Sequence, residues 1–259
     1  MLKDIKDKVV LITGAAGYLG KECAYFLAGL GANLVLVDIN NSQEISSEIE
    51  KKYKVKAHPI IVDFMDEKQV ISIANEVKQR YGKLNGIVAS AAFVGTSELE
   101  GWAVPFKEQS AATWRKALEV NLTANFVLFQ SCLELLEKNN ASIINIGSIY
   151  GMCAPDMSLY KGTDMGNPAA YAVSKGGLIQ FTRWLASMLA PDIRVNCLSL
   201  GGIERGQPKE FVRKYIEKTP LKRMAKESDI VGMIALLLSE DSSYITGQNI
   251  VLDGGWSIW

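Results

Sequence analysis

Histidine is nearly missing from this chain: His58 is the one histidine among 259 residues. It stands before Pro59, and no GxSxG elbow accompanies it, so a serine–histidine triad is not the chemistry to expect. Net charge is missing too, with 28 Lys and Arg against 28 Asp and Glu. Nucleic-acid binders and polybasic membrane proteins usually carry a positive excess somewhere, and this balance fits neither. The four cysteines, Cys23, Cys132, Cys153 and Cys197, show no CxxC spacing. That scatter argues for reduced thiols, against a disulfide framework and against a metal site. Apolar runs such as 234–238 are far too short to cross a bilayer, and residues 1–8 alternate charged and apolar side chains with no signal-peptide core. The expected location is the cytoplasm. Hydrophobic residues at 48% and charged residues at 22% leave no case for disorder.

What is there is a rhythm. Strand-length apolar runs at 8–13, 33–38, 57–63, 84–90, 142–148, 194–200 and 249–252 alternate with amphipathic stretches at 18–30, 43–53, 67–81, 112–137, 170–189, 209–218 and 228–238. Gly31, Gly82 and Asn139-Asn140 stand where helix ends call for residues that tolerate left-handed backbone. The alternation predicts an α/β fold of Rossmann type, a doubly wound parallel sheet of about seven strands with helices on both faces. No composition shift divides the chain, so residues 1–259 are expected to form a single domain. Three longer stretches, 91–111, 149–169 and 201–219, follow strand ends, where open α/β sheets bind their ligands.

The first run leads into Thr13-Gly-Ala-Ala-Gly-Tyr-Leu-Gly20. Gly14 permits a tight turn, while Gly17 and Gly20, with Tyr18 and Leu19 between them, open a helix. The free N–H groups and positive dipole end of that helix suit a pyrophosphate. Asp38 ends the second run roughly 20 residues on, where a carboxylate accepts both ribose hydroxyls and repels a 2′-phosphate. No Lys or Arg flanks it in Val37-Asp-Ile-Asn-Asn41, so NAD is favoured over NADP. Asp63 is placed either to meet the adenine edge or to cap the helix that follows.

Tyr171-Ala-Val-Ser-Lys175 lies at the start of the 170–189 stretch. Positions i and i+4 share one helix face, so the Tyr171 hydroxyl and the Lys175 ammonium can reach a common site. A phenol ordinarily holds its proton up to about pH 10, and a neighbouring lysine charge together with a cationic nicotinamide would lower that value. Tyr171 could then take a proton from an alcohol as hydride leaves, or return it in reverse. Ser148, closing the 142–148 run, can bond the same oxygen.

With dinucleotide turn, acidic second strand, strand-end serine and YxxxK in that order, the chain resembles the short-chain dehydrogenase/reductase family over essentially its whole length. The resemblance implies Ser148, Tyr171 and Lys175 as the catalytic set. It adds Asn121 as a further active-site residue, whose helix kink and bound water complete a proton relay. It implies that Tyr171 and Lys175 also touch the cofactor, Lys175 at the ribose. By the same resemblance, 194–203 covers the nicotinamide, with Gly201 and Ile203 in contact. Residues 244–255 are similar to the family's C-terminal strand signature.

The departures are informative. The compact branch usually has TGxxxGxG, and here Tyr18 replaces the middle glycine. Ser90, Ala91 and Ala92 stand in place of Asn-Ala-Gly beside the cofactor, and Leu200 replaces a common proline. Ser148 precedes Tyr171 by 23 residues instead of about a dozen, and Gly147-Ser-Ile-Tyr-Gly151 is similar to the serine motif of the extended, sugar-nucleotide branch. The chain ends without that branch's extra C-terminal region, so it is read as a compact enzyme with a sugar-like mouth.

The resulting expectation is an NAD-dependent oxidoreductase that interconverts a secondary alcohol and a ketone. A sugar, sugar phosphate or nucleotide-sugar is the expected substrate, because 152–168 carries Asp156, Ser158, Tyr160, Lys161, Thr163, Asp164 and Asn167. Arg205 and Lys209 are candidate phosphate partners. The loop and the tail, 254–259, are similar to compact members from bacterial surface-sugar and nonulosonate clusters, which suggests polysaccharide or flagellin-glycan biosynthesis. Three alternatives remain: a 3-oxoacyl-acyl-carrier-protein-reductase-like enzyme, an epimerase or dehydratase that recycles bound NAD, and a non-catalytic NAD sensor. The resemblance also implies a homotetramer or homodimer packed through 112–137 and 170–189. Trp256 and Trp259 are expected at an interface, over the pocket, or equally as caps on the subunit's own core.

Overall fold

Runs of consecutive buried apolar side chains become strands in seven places: β1 (Val9–Thr13), β2 (Asn33–Asp38), β3 (Ala57–Ile61), β4 (Gly86–Ala89), β5 (Ala141–Ser148), β6 (Ile193–Leu200) and β7 (Asn249–Leu252). The computed structural model describes residues 2–94 and 99–259, so 95–98, within the 91–111 stretch, lie outside the described residues. Every neighbouring pair of strands is parallel, in the order β3-β2-β1-β4-β5-β6-β7. Between them run α1 (Tyr18–Gly29), α2 (Gln43–Tyr53), α3 (Glu67–Tyr81), α4 (Ala111–Leu118), α5 (Ala124–Leu136), α6 (Ala169–Leu189), α7 (Lys209–Lys218) and α8 (Ser228–Leu238).

Strand alternation assigns each residue to one of two cores. Val10, Ile12, Leu34, Leu36, Ile144 and Leu198 pack beneath α1 and α8. Val9, Leu11, Val35, Val37, Ile143 and Val195 pack on the other face against α3, α5 and α6. Helices cover both faces, so the strands read as continuous apolar runs. Each fully buried Leu or Ile adds about 1.5–3 kcal/mol to this sandwich. Gly31, Gly82 and Asn140 have φ of 89°, 65° and 46°, the left-handed conformations expected at those helix ends. No described helix is long and apolar enough to cross a membrane.

The differences from expectation lie at element ends. Asp63 sits beyond β3, and α3 is capped instead by Asp66, whose carboxylate accepts the N–H groups of Lys68 and Gln69. Ser90 lies past the end of β4. The 201–219 stretch is largely helical, since α7 fills Lys209–Lys218. The 112–137 stretch breaks into α4 and α5 around a π-helical turn, Glu119–Thr123. One extra residue in that turn interrupts the regular ladder, a distortion found mostly at functional sites. Strand order reverses between β1 and β4, and the carboxyl ends of the strands there open into a cleft.

Candidate active site

The cleft encloses about 1020 Å³ and runs from the end of β2 across β1 and β4 to β5 and β6. At one end the glycine-rich turn leaves β1. Gly14 has φ +68°, and a Cβ there would come within 2.9 Å of the Ala91 amide nitrogen. A Cβ at Gly20 would lie 2.1 Å from the Gly14 carbonyl oxygen. The turn therefore folds backbone against backbone, with no room for side chains. It delivers α1 with no side-chain cap on Gly17 and no acidic residue in its first turn. Free amides and a positive helix end fit a pyrophosphate.

Asp38 is buried at the mouth of β2. Its Oδ2 accepts the Ala16 N–H at 2.9 Å, and its Oδ1 accepts the Asn40 N–H at 2.8 Å. The carboxylate thus ties the glycine turn to the strand end and keeps lone pairs for a diol. Asp63 also lines the cleft, with Oδ1 accepting the Met65 N–H at 2.9 Å. Ser90 donates to the Thr13 carbonyl at 2.8 Å, and the Ala91 N–H donates to Thr13 Oγ1 at 3.0 Å. Thr13, which opens the motif but has no role legible in the sequence alone, is the peg that holds Ser90 and Ala91 beside the turn. Leu19, Ala92, Gly201 and Ile203 line the same wall, so the whole expected cofactor set borders one cleft.

At the other end β5 presents Ser148 and α6 presents Tyr171 and Lys175. Ser148 and Tyr171 line the cleft together, and Ser148 Oγ accepts the Tyr150 N–H at 3.2 Å. Burial raises the Tyr171 pKa above its ordinary value of 10, while the neighbouring Ser148 hydroxyl and the Arg205 charge pull it down. Lys175 is tied to the neighbouring strand. Its ammonium donates to the Ile146 carbonyl at 2.7 Å and lies 5.8 Å from the Tyr171 ring centroid. Burial lowers the Lys175 pKa to about 8. Ser148, Arg205 and the nearby Lys175 ammonium all favour the phenolate.

Asn121 is buried in the π turn. Its Oδ1 accepts the Phe93 N–H at 2.7 Å, and its Nδ2 donates to Ser174 Oγ at 2.9 Å. Ser174 in turn donates to the Tyr171 carbonyl at 2.9 Å. Asn121 therefore grips the backbone that carries Tyr171 and Lys175, without a direct bond to Lys175. Gly151 docks the start of the long loop on the same helix: a Cβ there would meet the Lys175 carbonyl carbon at 2.7 Å.

Beyond Ser148 and Tyr171 the wall is more aromatic than composition suggested. Phe93 meets Trp102 edge-on at 5.1 Å between ring centroids. Tyr160 Oη and Tyr150 Oη are 2.9 Å apart, and Tyr215 stacks on Trp256 at 5.9 Å. Of the seven polar side chains expected from 152–168, only Tyr160 and Asn167 line the cleft; Asn167 Oδ1 is buried without a partner. Asp156 instead pairs with Lys218 and caps a 3₁₀ turn at Met157–Leu159. Arg205 lines the cleft and Lys209 does not. Trp256 is buried within its own subunit, whereas Trp259 is exposed. Spatial clustering of Tyr150, Tyr160, Phe211, Tyr215 and Trp256 had no sequence signal, because several separate segments supply them.

A family model described as enoyl-(acyl carrier protein) reductase matches residues 14–257. The chain is 30% identical over 260 residues to the post-translational flagellin modification protein A of Campylobacter coli, covering 98% of this chain and 100% of that one. It is also 30% identical to a 3-oxoacyl-acyl-carrier-protein reductase of Thermotoga maritima, covering 97% of this chain and 98% of the relative. The crystal structure of a short-chain dehydrogenase from Leptospira borgpetersenii with bound NAD+ superposes with a TM-score of 0.86 and 32% identity. That superposition covers 99% of this chain and 96% of the other.

Proposed function

Because the chain belongs to the short-chain dehydrogenase/reductase family, we propose that residues 1–259 form one cytoplasmic catalytic unit, an NAD-dependent alcohol dehydrogenase acting on a sugar or sugar-derived secondary alcohol. The observation that carries this reading is Ser148, Tyr171 and buried Lys175 converging in the cleft that the glycine turn opens, with the Lys175 ammonium 5.8 Å from the Tyr171 ring centroid. Gly14, Gly17, Tyr18, Leu19 and Gly20 would cradle the pyrophosphate, Asp38 the adenosine ribose, Asp63 the adenine, and Lys175 the nicotinamide ribose. When bound, the nicotinamide supplies the hydride acceptor or donor.

Tyr171 exchanges the proton at the substrate oxygen. Its raised pKa suits the acid that a ketone reduction needs, and alcohol oxidation requires the phenolate that Ser148 and Arg205 favour. Ser148 orients the same oxygen. Asn121 is a positioning residue, acting through Ser174 on the Tyr171–Lys175 turn. Asp38, with no basic side chain beside it, supports NAD over NADP.

A polar ring substrate is supported by the Tyr150 and Tyr160 hydroxyls and by Asn167 at the aromatic wall. Likeness to a flagellin modification protein along the whole chain supports a sugar of the surface-glycan kind. A homo-oligomer is supported by Phe126, Val173, Trp184 and Met188, exposed along α5 and α6. The test is NADH formation from NAD across free sugars, sugar phosphates, nucleotide-sugars and an acyl-chain alcohol. Turnover confined to one sugar class supports the reading. Turnover of the acyl substrate alone refutes the sugar assignment.

A further inference from the structure

Two cleft-lining side chains, Tyr18 and Arg205, meet across the cleft. Tyr18 opens α1 directly above the uncapped helix end, and its side chain is largely exposed at 71%. Arg205 lies on the segment after β6, with its guanidinium carbon 5.0 Å from the Tyr18 ring centroid. The segment holds Arg205 in place. The Arg205 N–H donates to Gln207 Oε1 at 2.7 Å, Gln207 Nε2 donates back to the Ile203 carbonyl at 2.7 Å, and Glu204 N–H reaches the Ala225 carbonyl at 2.9 Å. Glu227 Oε1 accepts from Arg205 Nε at 2.9 Å and fixes the plane of the fork. Among the described residues the two terminal amino groups of Arg205 have no hydrogen-bond partner, although the side chain borders the cleft. A guanidinium stacked on a ring and steered by a carboxylate keeps those donors pre-organised for a planar pair of anionic oxygens.

We propose that Arg205 and Tyr18 form a clasp over the cofactor cleft, in which the terminal amino groups of Arg205 bind the pyrophosphate of the dinucleotide that the α1 amides hold from below. The assignment rests on the dinucleotide reading of the glycine turn. Bridging the α1 start to the segment after β6, the clasp closes over the diphosphate and slows release of the cofactor. It contributes most to residence time, since release of the cofactor must break contacts already formed. Glu227 acts through Arg205 as a positioning residue.

The experiment measures binding without substrate, so catalysis does not enter. NADH and ADP-ribose are titrated into wild type, Arg205→Ala, Arg205→Lys, Tyr18→Ala and Tyr18→Phe, with NADH release followed by stopped flow and folding by thermal unfolding. Arg205→Ala is expected to weaken both ligands by about tenfold or more, through a faster off-rate and without a matching fall in Tm. Equal loss for ADP-ribose identifies the diphosphate, because that ligand has no nicotinamide. Tyr18→Ala is expected to cost about two- to fivefold, and Tyr18→Phe to match wild type because the ring face remains. Arg205→Lys keeps the charge and is expected to lie between wild type and Arg205→Ala. An Arg205→Ala protein with NADH affinity and off-rate within twofold of wild type would overturn the clasp. So would an unchanged NADH affinity coupled to a raised substrate KM, which would assign Arg205 to the substrate. Wild type that binds neither ligand would overturn the dinucleotide reading itself.

Discussion

Replacing Lys175 by methionine separates the cost of burying its ammonium from its part in the reaction. Burial lowers the Lys175 pKa from 10.5 to about 8, with a weaker opposing pull from Cys197. Between those two values the unfolded chain holds a proton that the folded chain has released. Wild-type stability therefore rises with pH across that window, by about 1.4 kcal/mol per unit. Below about pH 8 both states are protonated and the full burial penalty stands. The methionine variant has no group to titrate there. The unfolding free energy of wild type minus that of the variant is expected to climb by about 2 kcal/mol between about pH 7.5 and about pH 9.5. Loss of the partner of the Ile146 carbonyl offsets that curve by roughly 1–3 kcal/mol without bending it. Urea unfolding followed by the fluorescence of the five tryptophans reads the difference. A gap that stays constant with pH to within about 0.5 kcal/mol would refute a Lys175 pKa lowered by burial.

Tyr171→Phe is expected to lower kcat by about 10²- to 10⁴-fold while NADH affinity, measured by fluorescence titration, stays within about twofold. Asp38→Ala removes the acceptor of the Ala16 and Asn40 amides. It is expected to cut the NAD-over-NADP ratio of kcat/KM by about tenfold, and an unchanged ratio would discard Asp38 as the selector. Gly20→Ala forces a Cβ to 2.1 Å from the Gly14 oxygen. Calorimetry should find no dinucleotide binding in a protein whose circular dichroism still reports the sheet and helices.

Periodicity located all seven strands to within a few residues, because strands buried on both faces leave an uninterrupted apolar signature. Gly31, Gly82 and Asn140 were readable for a local reason: left-handed backbone selects few residue types. The break at 119–123 was not readable from pattern, since one inserted residue leaves an amphipathic stretch amphipathic. Only the family resemblance flagged Asn121. Loop polarity misled more than any other cue. Asp156, Ser158, Lys161, Thr163 and Asp164 lie outside the cleft lining, because a polar side chain in a surface loop has water as an equally good partner. Sharing a helix face also says nothing of the Ile146 carbonyl that accepts from the Lys175 ammonium. The Tyr18–Arg205 stack joins segments with no shared motif and could be found only in three dimensions.

The long loop after β5 has both feet on reacting groups. It departs at Ser148, is seated by Gly151 against the backbone of Lys175, and returns through Pro168 into the helix that bears Tyr171. Its anchor points are therefore the chemistry itself, while its middle only shapes what can approach. On the proposed reading, recognition is a replaceable cassette clipped to a fixed reaction centre. Exchanging residues 152–166 with those of a relative should transplant substrate preference and leave proton transfer where it is.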